Sequence, residues 1–100
     1  MTKIYYERTG GFMGRKVSIT INMDDLPDEQ ATLLDNLVDK ADFFELPADL
    51  TGSAMPDSFT YNITISSERR QHSVRVGDST APDDLRPLLE ELSRQARMQR

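Results

Sequence analysis

Few side chains in this sequence are of a type that does chemistry. The chain contains no cysteine and a single histidine, His72. These counts exclude thiolate nucleophiles, disulfides and any site that takes two imidazoles from one chain. No nucleophile motif accompanies His72, and its position in the predicted strand puts it on the same face as Val74 and Val76. The pattern therefore favours a structural histidine that faces the core over a catalytic base.

Acidic residues occur in adjacent pairs, for example Asp83–Asp84 and Glu90–Glu91. Neighbouring positions on a helix point about 100° apart, so such pairs do not converge on one substrate atom. A further acidic cluster surrounds Pro27 and superficially suggests calcium; it consists of Asn22, Asp24, Asp25 and Asp28. It lacks the glycine and the distal glutamate of a calcium loop. We expect solvated charge at the pairs and helix capping at the cluster.

A glycine-rich segment, residues 9–14, encloses two large apolar side chains, Phe12 and Met13. A phosphate-binding loop would lead into a helix, whereas this segment leads into a predicted strand. Gly10, Gly11 and Gly14 are better explained as positive-φ positions of a wide hairpin loop. Phe12 and Met13 at its tip require either a contact with the domain's own edge or a partner protein.

Asp78 lies directly after a predicted strand, in the small-residue segment 77–82. The favoured interpretation is that it closes the turn together with Ser79 and Thr80. The alternative is a carboxylate that is free to meet a partner.

Length and charge limit the class of protein. With 100 residues, the chain is predicted to form one domain over residues 1–100. The net charge is −5, and residues 24–57 carry ten acids against one base, Lys40. This acidic middle disfavours nucleic acid as a partner. No apolar run has membrane-spanning or signal-peptide length, so we expect a protein without membrane contact that is cytoplasmic unless it is exported by another route.

Four segments alternate at the period of a strand, and two repeat at the spacing of a helix. The strands are predicted at residues 4–8, 17–22, 59–65 and 72–76, and the first has the weakest alternation, with Ile4 and Tyr6 on one face. The helical stripes run from Leu34 to Ala41 and from Leu85 to Ala96. Pro87 restricts the second helix to a start no earlier than Asp84, with Asp83 as the expected cap. The predicted fold is α+β, a four-stranded and mainly antiparallel sheet with two helices on one face.

The chain also resembles itself. Residues 17–42 align with residues 72–97 at a shift of 55, without a gap and with seven identities, including Pro27 with Pro82. This favours a pseudo-repeat of strand, strand and helix. The competing explanation is that any strand–loop–helix unit with proline near the helix start aligns in this way.

Several segments together resemble a known family, the emfourin-like proteins. They are Tyr-Tyr-Glu-Arg-Thr-Gly-Gly-Phe-Met-Gly (5–14), Lys-Ala-Asp-Phe-Phe-Glu-Leu-Pro (40–47), Tyr-Asn-Ile-Thr-Ile (61–65), His-Ser-Val-Arg-Val-Gly-Asp (72–78) and Ala-Pro-Asp-Asp-Leu-Arg-Pro-Leu-Leu (81–89). They span nearly the whole chain, and residues 50–58 match least well. Proteins of this family are small bacterial inhibitors of thermolysin-like zinc metallopeptidases of the protealysin group.

The resemblance implies that the chain is not an enzyme but blocks the active site of such a peptidase. It implies two loops, one placing an aspartate on the peptidase zinc and one placing apolar side chains in the substrate subsites. Asp78 suits the first role, and Gly11, Phe12 and Met13 suit the second. Asp57 with Met55 is the alternative pair. The zinc belongs to the peptidase, so we expect no cofactor or metal of the chain's own, and loop insertion works as a monomer.

Two other functions remain open at this point. The acidic segment 24–57 would suit a regulatory interaction module that binds a basic protein without inhibiting a peptidase. A small enzyme would require an unseen cofactor or a site shared between subunits, and it is the least favoured.

Overall fold

The computed structural model describes residues 2–10, 16–51 and 59–98. These residues form one sheet and two α-helices. The strands are β1 (Lys3–Gly10), β2 (Val17–Asn22), β3 (Asp49–Leu50), β4 (Phe59–Ser66) and β5 (Gln71–Gly77), and the helices are α1 (Asp28–Ala41) and α2 (Arg86–Met98). Short 3-10 turns at Met23–Asp25 and Phe43–Glu45 flank α1.

The sheet contains one strand more than the sequence predicts. Its order is β2-β1-β4-β5-β3, and all neighbours are antiparallel except β3 and β5, which are parallel. The prediction of four mainly antiparallel strands is therefore wrong in strand number, and the described sheet is mixed. β3 has only two residues, Asp49 and Leu50, too few to show an alternating pattern. It forms because Leu50 pairs with Val76 and the N–H of Arg75 donates to the Ala48 carbonyl at 2.8 Å.

One face of the sheet carries the core. Strand register places Ile4 opposite Ile65, Tyr6 opposite Ile63, and Ile63 opposite Val74, so these side chains share one face. All of them are at most 1% exposed. The buried stripes of both helices belong to the same core cluster. The prediction of two helices on one face of the sheet is confirmed, and it follows from the alternation of apolar and polar residues.

Each helix begins where the sequence allows it. α1 follows Pro27 and has Asp28 and Glu29 in its first turn. It ends at Ala41, and the C-cap residue Asp42 adopts a left-handed conformation (φ 53°). Acidic side chains in the first turn favour the positive end of the helix dipole. α2 begins at Arg86, so Pro87 lies in its first turn, where no hydrogen bond is lost.

The element order repeats strand, strand and helix, with β3 inserted between the two units. The shift of 55 that relates Ile19 to Val74 does not extend to the first strands. Ile19 pairs with Tyr6 and Val74 pairs with Ile63, so β1 and β4 are related by a shift of 57. The two hairpins thus differ by two residues, and the extra length lies in the segment between β1 and β2.

Candidate functional site

Three strands end or begin together at one edge of the sheet. Gly10, the last residue of β1, pairs with Phe59, the first residue of β4, and the next residue, Thr60, pairs with Gly77 at the end of β5. The N–H of Asp78 donates to the Phe59 carbonyl at 2.9 Å and continues this ladder. We call this the Asp78 edge.

The segment 52–58 attaches to the same edge at both of its ends. Leu50 pairs with Val76 in parallel, which places Thr51 beside the end of β5, and the chain re-enters the sheet at Phe59. Sequence patterns do not show which end of the sheet carries each connecting segment, whereas the strand register does. The segments 11–15, 52–58 and 77–82 are all connected to described residues at the Asp78 edge.

The predicted apolar residues Gly11, Phe12 and Met13 lie outside the described residues, as do Asp57 and Met55 of the alternative pair. Gly10, directly before them, has a φ of 93°. Only glycine adopts this conformation without a steric penalty. The expected need for positive φ is confirmed at Gly10, while Gly11 and Gly14 are not described.

The turn after β5 is closed by Thr80 rather than by the Asp78 side chain. The Thr80 hydroxyl accepts from the Gly77 N–H at 2.9 Å, and the Thr80 N–H donates to the Gly77 carbonyl at 3.1 Å. The Arg86 guanidinium also donates to the Asp78 backbone carbonyl at 3.3 Å. The turn predicted at Asp78, Ser79 and Thr80 is thus present, but the carboxylate of Asp78 is not needed to form it. Asp78 is exposed.

Tyr61 joins the Asp78 carboxylate to the core. Its hydroxyl donates to Oδ1 of Asp78 at 3.4 Å, whereas the Tyr61 side chain is only 9% exposed and stacks near Tyr6. Burial, followed by the negative charge of Asp78, raises the pKa of Tyr61 to about 12. Tyr61 therefore remains a protonated donor at physiological pH.

Arg8 lies on the helix side of the Asp78 edge. It lies in β1, opposite Tyr61 of β4, and its guanidinium carbon lies 4.6 Å from the centroid of the Phe59 ring. Stacking of this kind fixes the plane of a guanidinium without neutralising its charge. The buried Nε of Arg8 has no hydrogen-bond partner among the described residues.

His72 has the structural role predicted for it. Its Nε2 lies 2.7 Å from the Leu46 carbonyl, and its ring contacts the edge of Phe43, which is 1% exposed. His72 pairs with Ile65, at the other end of β4 and β5 from Asp78. The only imidazole of the chain is therefore not part of the Asp78 edge.

In the acidic cluster around Pro27, the expected capping is found at the 3-10 turn but not at α1, whose N-cap residue Pro27 makes no side-chain hydrogen bond. Asn22 caps the 3-10 turn, because its side chain accepts from the Asp24 N–H at 3.1 Å. Within residues 2–10, 16–51 and 59–98, no group of three or more acidic or histidine side chains is arranged to hold a metal ion. In the same part of the chain, no helix combines the length and apolarity that a membrane span requires.

Comparison with known proteins then decides the family. The sequence matches the family model Emfourin over residues 6–93. The chain belongs to the emfourin family. Proteins of this family are inhibitors and not enzymes, which confirms the expectation that the chain is no enzyme.

One solved structure similar to the chain is emfourin (M4in) from Serratia proteamaculans, described as an M4 family peptidase inhibitor. The two share 20% sequence identity, with a TM-score of 0.49, and the match covers 87% of this chain and 84% of the other. At this identity the two are distinct proteins. A search of curated proteins finds no match.

Sequence reasoning found Asp78 but missed Tyr61 and Arg8 as parts of the same edge. Tyr61 is one of the apolar positions in the alternating pattern of β4, and this pattern predicts a core residue. Its ring does lie in the core. Arg8 ends the weakest of the predicted strands, and only the sheet order places it beside Tyr61. A tyrosine in the first buried position of a strand is the one signal that could have indicated a hydroxyl reaching toward the edge.

Proposed function

We propose that this chain inhibits an M4, thermolysin-like zinc metallopeptidase of the protealysin type by blocking its active site with the Asp78 edge. Membership of the emfourin family supports an inhibitor. The observation that carries the proposal is the state of Asp78, whose carboxylate is exposed at the end of β5 while Thr80 closes the turn. The aspartate is therefore available without loss of the loop that presents it.

The proposed chemistry takes place at the metal of the peptidase. A catalytic zinc with three protein ligands keeps one position for water, and a carboxylate oxygen at about 2.0–2.2 Å can take that position. Asp78 would be this ligand. With the water displaced, the peptidase has no activated nucleophile to cleave the bound inhibitor.

The apolar part of the proposal concerns the segment that follows Gly10. Phe12 and Met13, with Gly11 allowing close approach, would fill substrate subsites of the peptidase while Asp78 occupies the metal. Support comes from the attachment points, since Gly10 and Asp78 flank Phe59 at the same edge. One copy of the chain carries both elements, so a monomer suffices for inhibition.

The test is a titration of a protealysin-like peptidase with the purified chain, read as cleavage of a small peptide substrate. We expect stoichiometric loss of activity, confined to thermolysin-like enzymes and not shared by an unrelated zinc peptidase. Asp78→Asn removes the charge and keeps the shape, and we expect it to weaken inhibition by at least about 100-fold, since unpairing a desolvated charge costs about 2–5 kcal/mol.

The matched control is Asp84→Asn, which makes the same change at an exposed position in the turn before α2. It is expected to inhibit like the parent chain. Equal inhibition by Asp78→Asn and the parent would overturn the zinc assignment and shift attention to Asp57. Full peptidase activity at a large excess of the parent chain would overturn the proposed function itself.

A second candidate function rests on the exposed acidic side chains of α1, which include Asp28, Glu29, Asp35 and Asp39. They would suit an interaction module that binds a basic protein. Strongly salt-dependent binding of a basic protein, without inhibition of any M4 peptidase, would favour this alternative.

A further inference from the structure

A groove runs along the helix side of the Asp78 edge. We call it the arginine groove; its charged lining is Arg8, Arg86, Arg94 and Arg97 with Asp78, Glu90 and Glu91. Tyr61 and Ser93 also line it, and the Ser93 hydroxyl lies 2.7 Å from the hydroxyl of buried Tyr6. The groove shares Tyr61 and Asp78 with the proposed inhibitory edge, so a peptidase seated on Asp78 would reach over it.

Two of the four arginines are already committed within the chain. Arg94 donates through Nε to Glu91 at 3.1 Å, and the bond lowers the pKa of Glu91 while raising that of Arg94. Arg86 donates to the Asp78 carbonyl at 3.3 Å and lies 3.8 Å from an Asp83 carboxylate oxygen. The charge of Arg94 is therefore paired within the chain, and Arg86 makes weaker contacts to residues of the turn before α2.

Arg8 and Arg97 differ from them, because neither forms an ion pair with a described residue. Both arginines act electrostatically on buried Tyr6. Burial raises the pKa of Tyr6, and the positive charges of Arg8 and Arg97 lower it by a smaller amount. Of the acidic residues in the groove, Glu91 is paired with Arg94 and Asp78 is proposed to bind zinc. In the complex, Glu90 alone would then offset Arg8 and Arg97.

The guanidinium of Arg8 is also held in a position where it can bind an anion. Its guanidinium carbon lies over the Phe59 ring, which fixes the plane of the group, and its charge has no ion-pair partner in the described part of the chain. A planar guanidinium binds carboxylates through two parallel hydrogen bonds, which makes a carboxylate the best complement.

Leu33 adds an apolar contact beside these charges. It lies on α1, lines the groove and is 43% exposed, whereas Leu88, which is 55 residues later, is fully buried. The groove therefore combines free positive charge with an exposed leucine. Such a surface fits an acidic side chain that has an apolar neighbour.

We propose that the arginine groove is a second docking surface for the inhibited peptidase, and that it binds an acidic side chain on the rim of the peptidase active-site cleft. The proposal rests on the proposed function. Charge complementarity and continuity with the Asp78 edge are its two supports. The acidic side chain would lie against Arg8 and Arg97, with its apolar neighbour on Leu33.

The experiment measures the inhibition constant of Arg97→Gln and Arg8→Gln toward the same peptidase over a series of salt concentrations. Arg97 is exposed in the last turn of α2, so its variant is expected to fold. We expect the inhibition constant to rise about threefold for Arg97→Gln and about tenfold for Arg8→Gln, with a weaker salt dependence for both. Arg97→Glu should inhibit less well than Arg97→Gln.

The matched control is Arg69→Gln, an exposed arginine in the β4–β5 hairpin at the opposite end of the sheet from Asp78. It makes the same change in net charge and should stay within about twofold of the parent chain. Failure of the parent chain to inhibit the peptidase would overturn the proposed function and the groove together. Inhibition that depends on Asp78 but is equal in Arg97→Gln, Arg97→Glu and Arg69→Gln would overturn the groove alone.

Discussion

The Tyr61 hydroxyl lies 3.4 Å from Oδ1 of Asp78, which links a residue of the sheet core to an exposed carboxylate. Because Tyr61 is 9% exposed and packs against other core residues, its hydroxyl has little freedom to move. The long distance indicates a weak hydrogen bond. We therefore expect Tyr61 to help position Asp78 in the proposed complex, through a contact that does not neutralise the carboxylate.

The first prediction concerns this positioning. Tyr61→Phe keeps the packed ring and removes the donor, so we expect a small change in stability and an inhibition constant about threefold higher. Tyr5→Phe is the matched control, because Tyr5 donates to Glu7 at 2.6 Å on the polar face of the sheet. The measurement is the same peptidase titration. An unchanged constant for Tyr61→Phe, or an equal loss for Tyr5→Phe, would argue against positioning by Tyr61.

The second prediction concerns alkaline pH. The pKa of Tyr61 is raised from 10.0 to about 12, mainly by burial. The unfolded chain therefore loses this proton at a lower pH than the folded chain does. The stability that Tyr61 contributes is fully present below pH 10 and is lost as the pH rises through about 12.

Urea unfolding of the parent chain and of Tyr61→Phe across this range tests the prediction. The free energy of unfolding should fall more steeply with pH in the parent chain than in the variant. Burial also raises the pKa of Tyr6, so the variant should keep part of the pH dependence. Parallel pH profiles would show that Tyr61 titrates normally in the folded protein.

The extent of prediction from sequence differs between elements. The alternation of β2, β4 and β5 and the stripes of both helices were readable because one face of each element is buried. β1 gave the weakest pattern although it lies between β2 and β4. Its central position results from backbone hydrogen bonds to both neighbouring strands. These bonds do not depend on which side chains are apolar, so the sequence pattern does not reveal the position.

The site was predictable only in part for the same reason. Asp78 could be singled out because it follows a strand end, and Thr80 as a turn residue beside it. Which of the two closes the turn depends on backbone geometry that residue types do not specify. The neighbourhood of Arg8, Tyr61 and Asp78 results from a sheet order that brings residues more than fifty positions apart into contact.

The third prediction concerns Gly10, where φ is 93° at the end of β1. An alanine in this conformation carries a steric penalty, so Gly10→Ala should lower the free energy of unfolding by about 1–2 kcal/mol. It should also weaken inhibition, because it alters the direction in which the chain leaves β1 toward Phe12 and Met13. Chemical denaturation and peptidase titration measure the two effects.

The control for this prediction is Thr9→Ala, which changes the preceding residue of the same strand and needs no positive φ. It should inhibit like the parent chain. A Gly10→Ala variant as stable and as inhibitory as the parent chain would show that neither the positive φ nor the exit direction matters.

The most direct test of the central claim is the absorption spectrum of an M4 peptidase whose catalytic zinc is replaced by Co²⁺, because the visible bands of Co²⁺ respond to its ligands. We predict that the parent chain and Asp84→Asn change the bands on binding, as a carboxylate oxygen replaces water at the metal. Asp78→Asn, added at saturating concentration, should leave them close to those of the free peptidase. Full inhibition by the parent chain with unchanged bands, or the same band change with Asp78→Asn, would contradict ligation of the metal by Asp78.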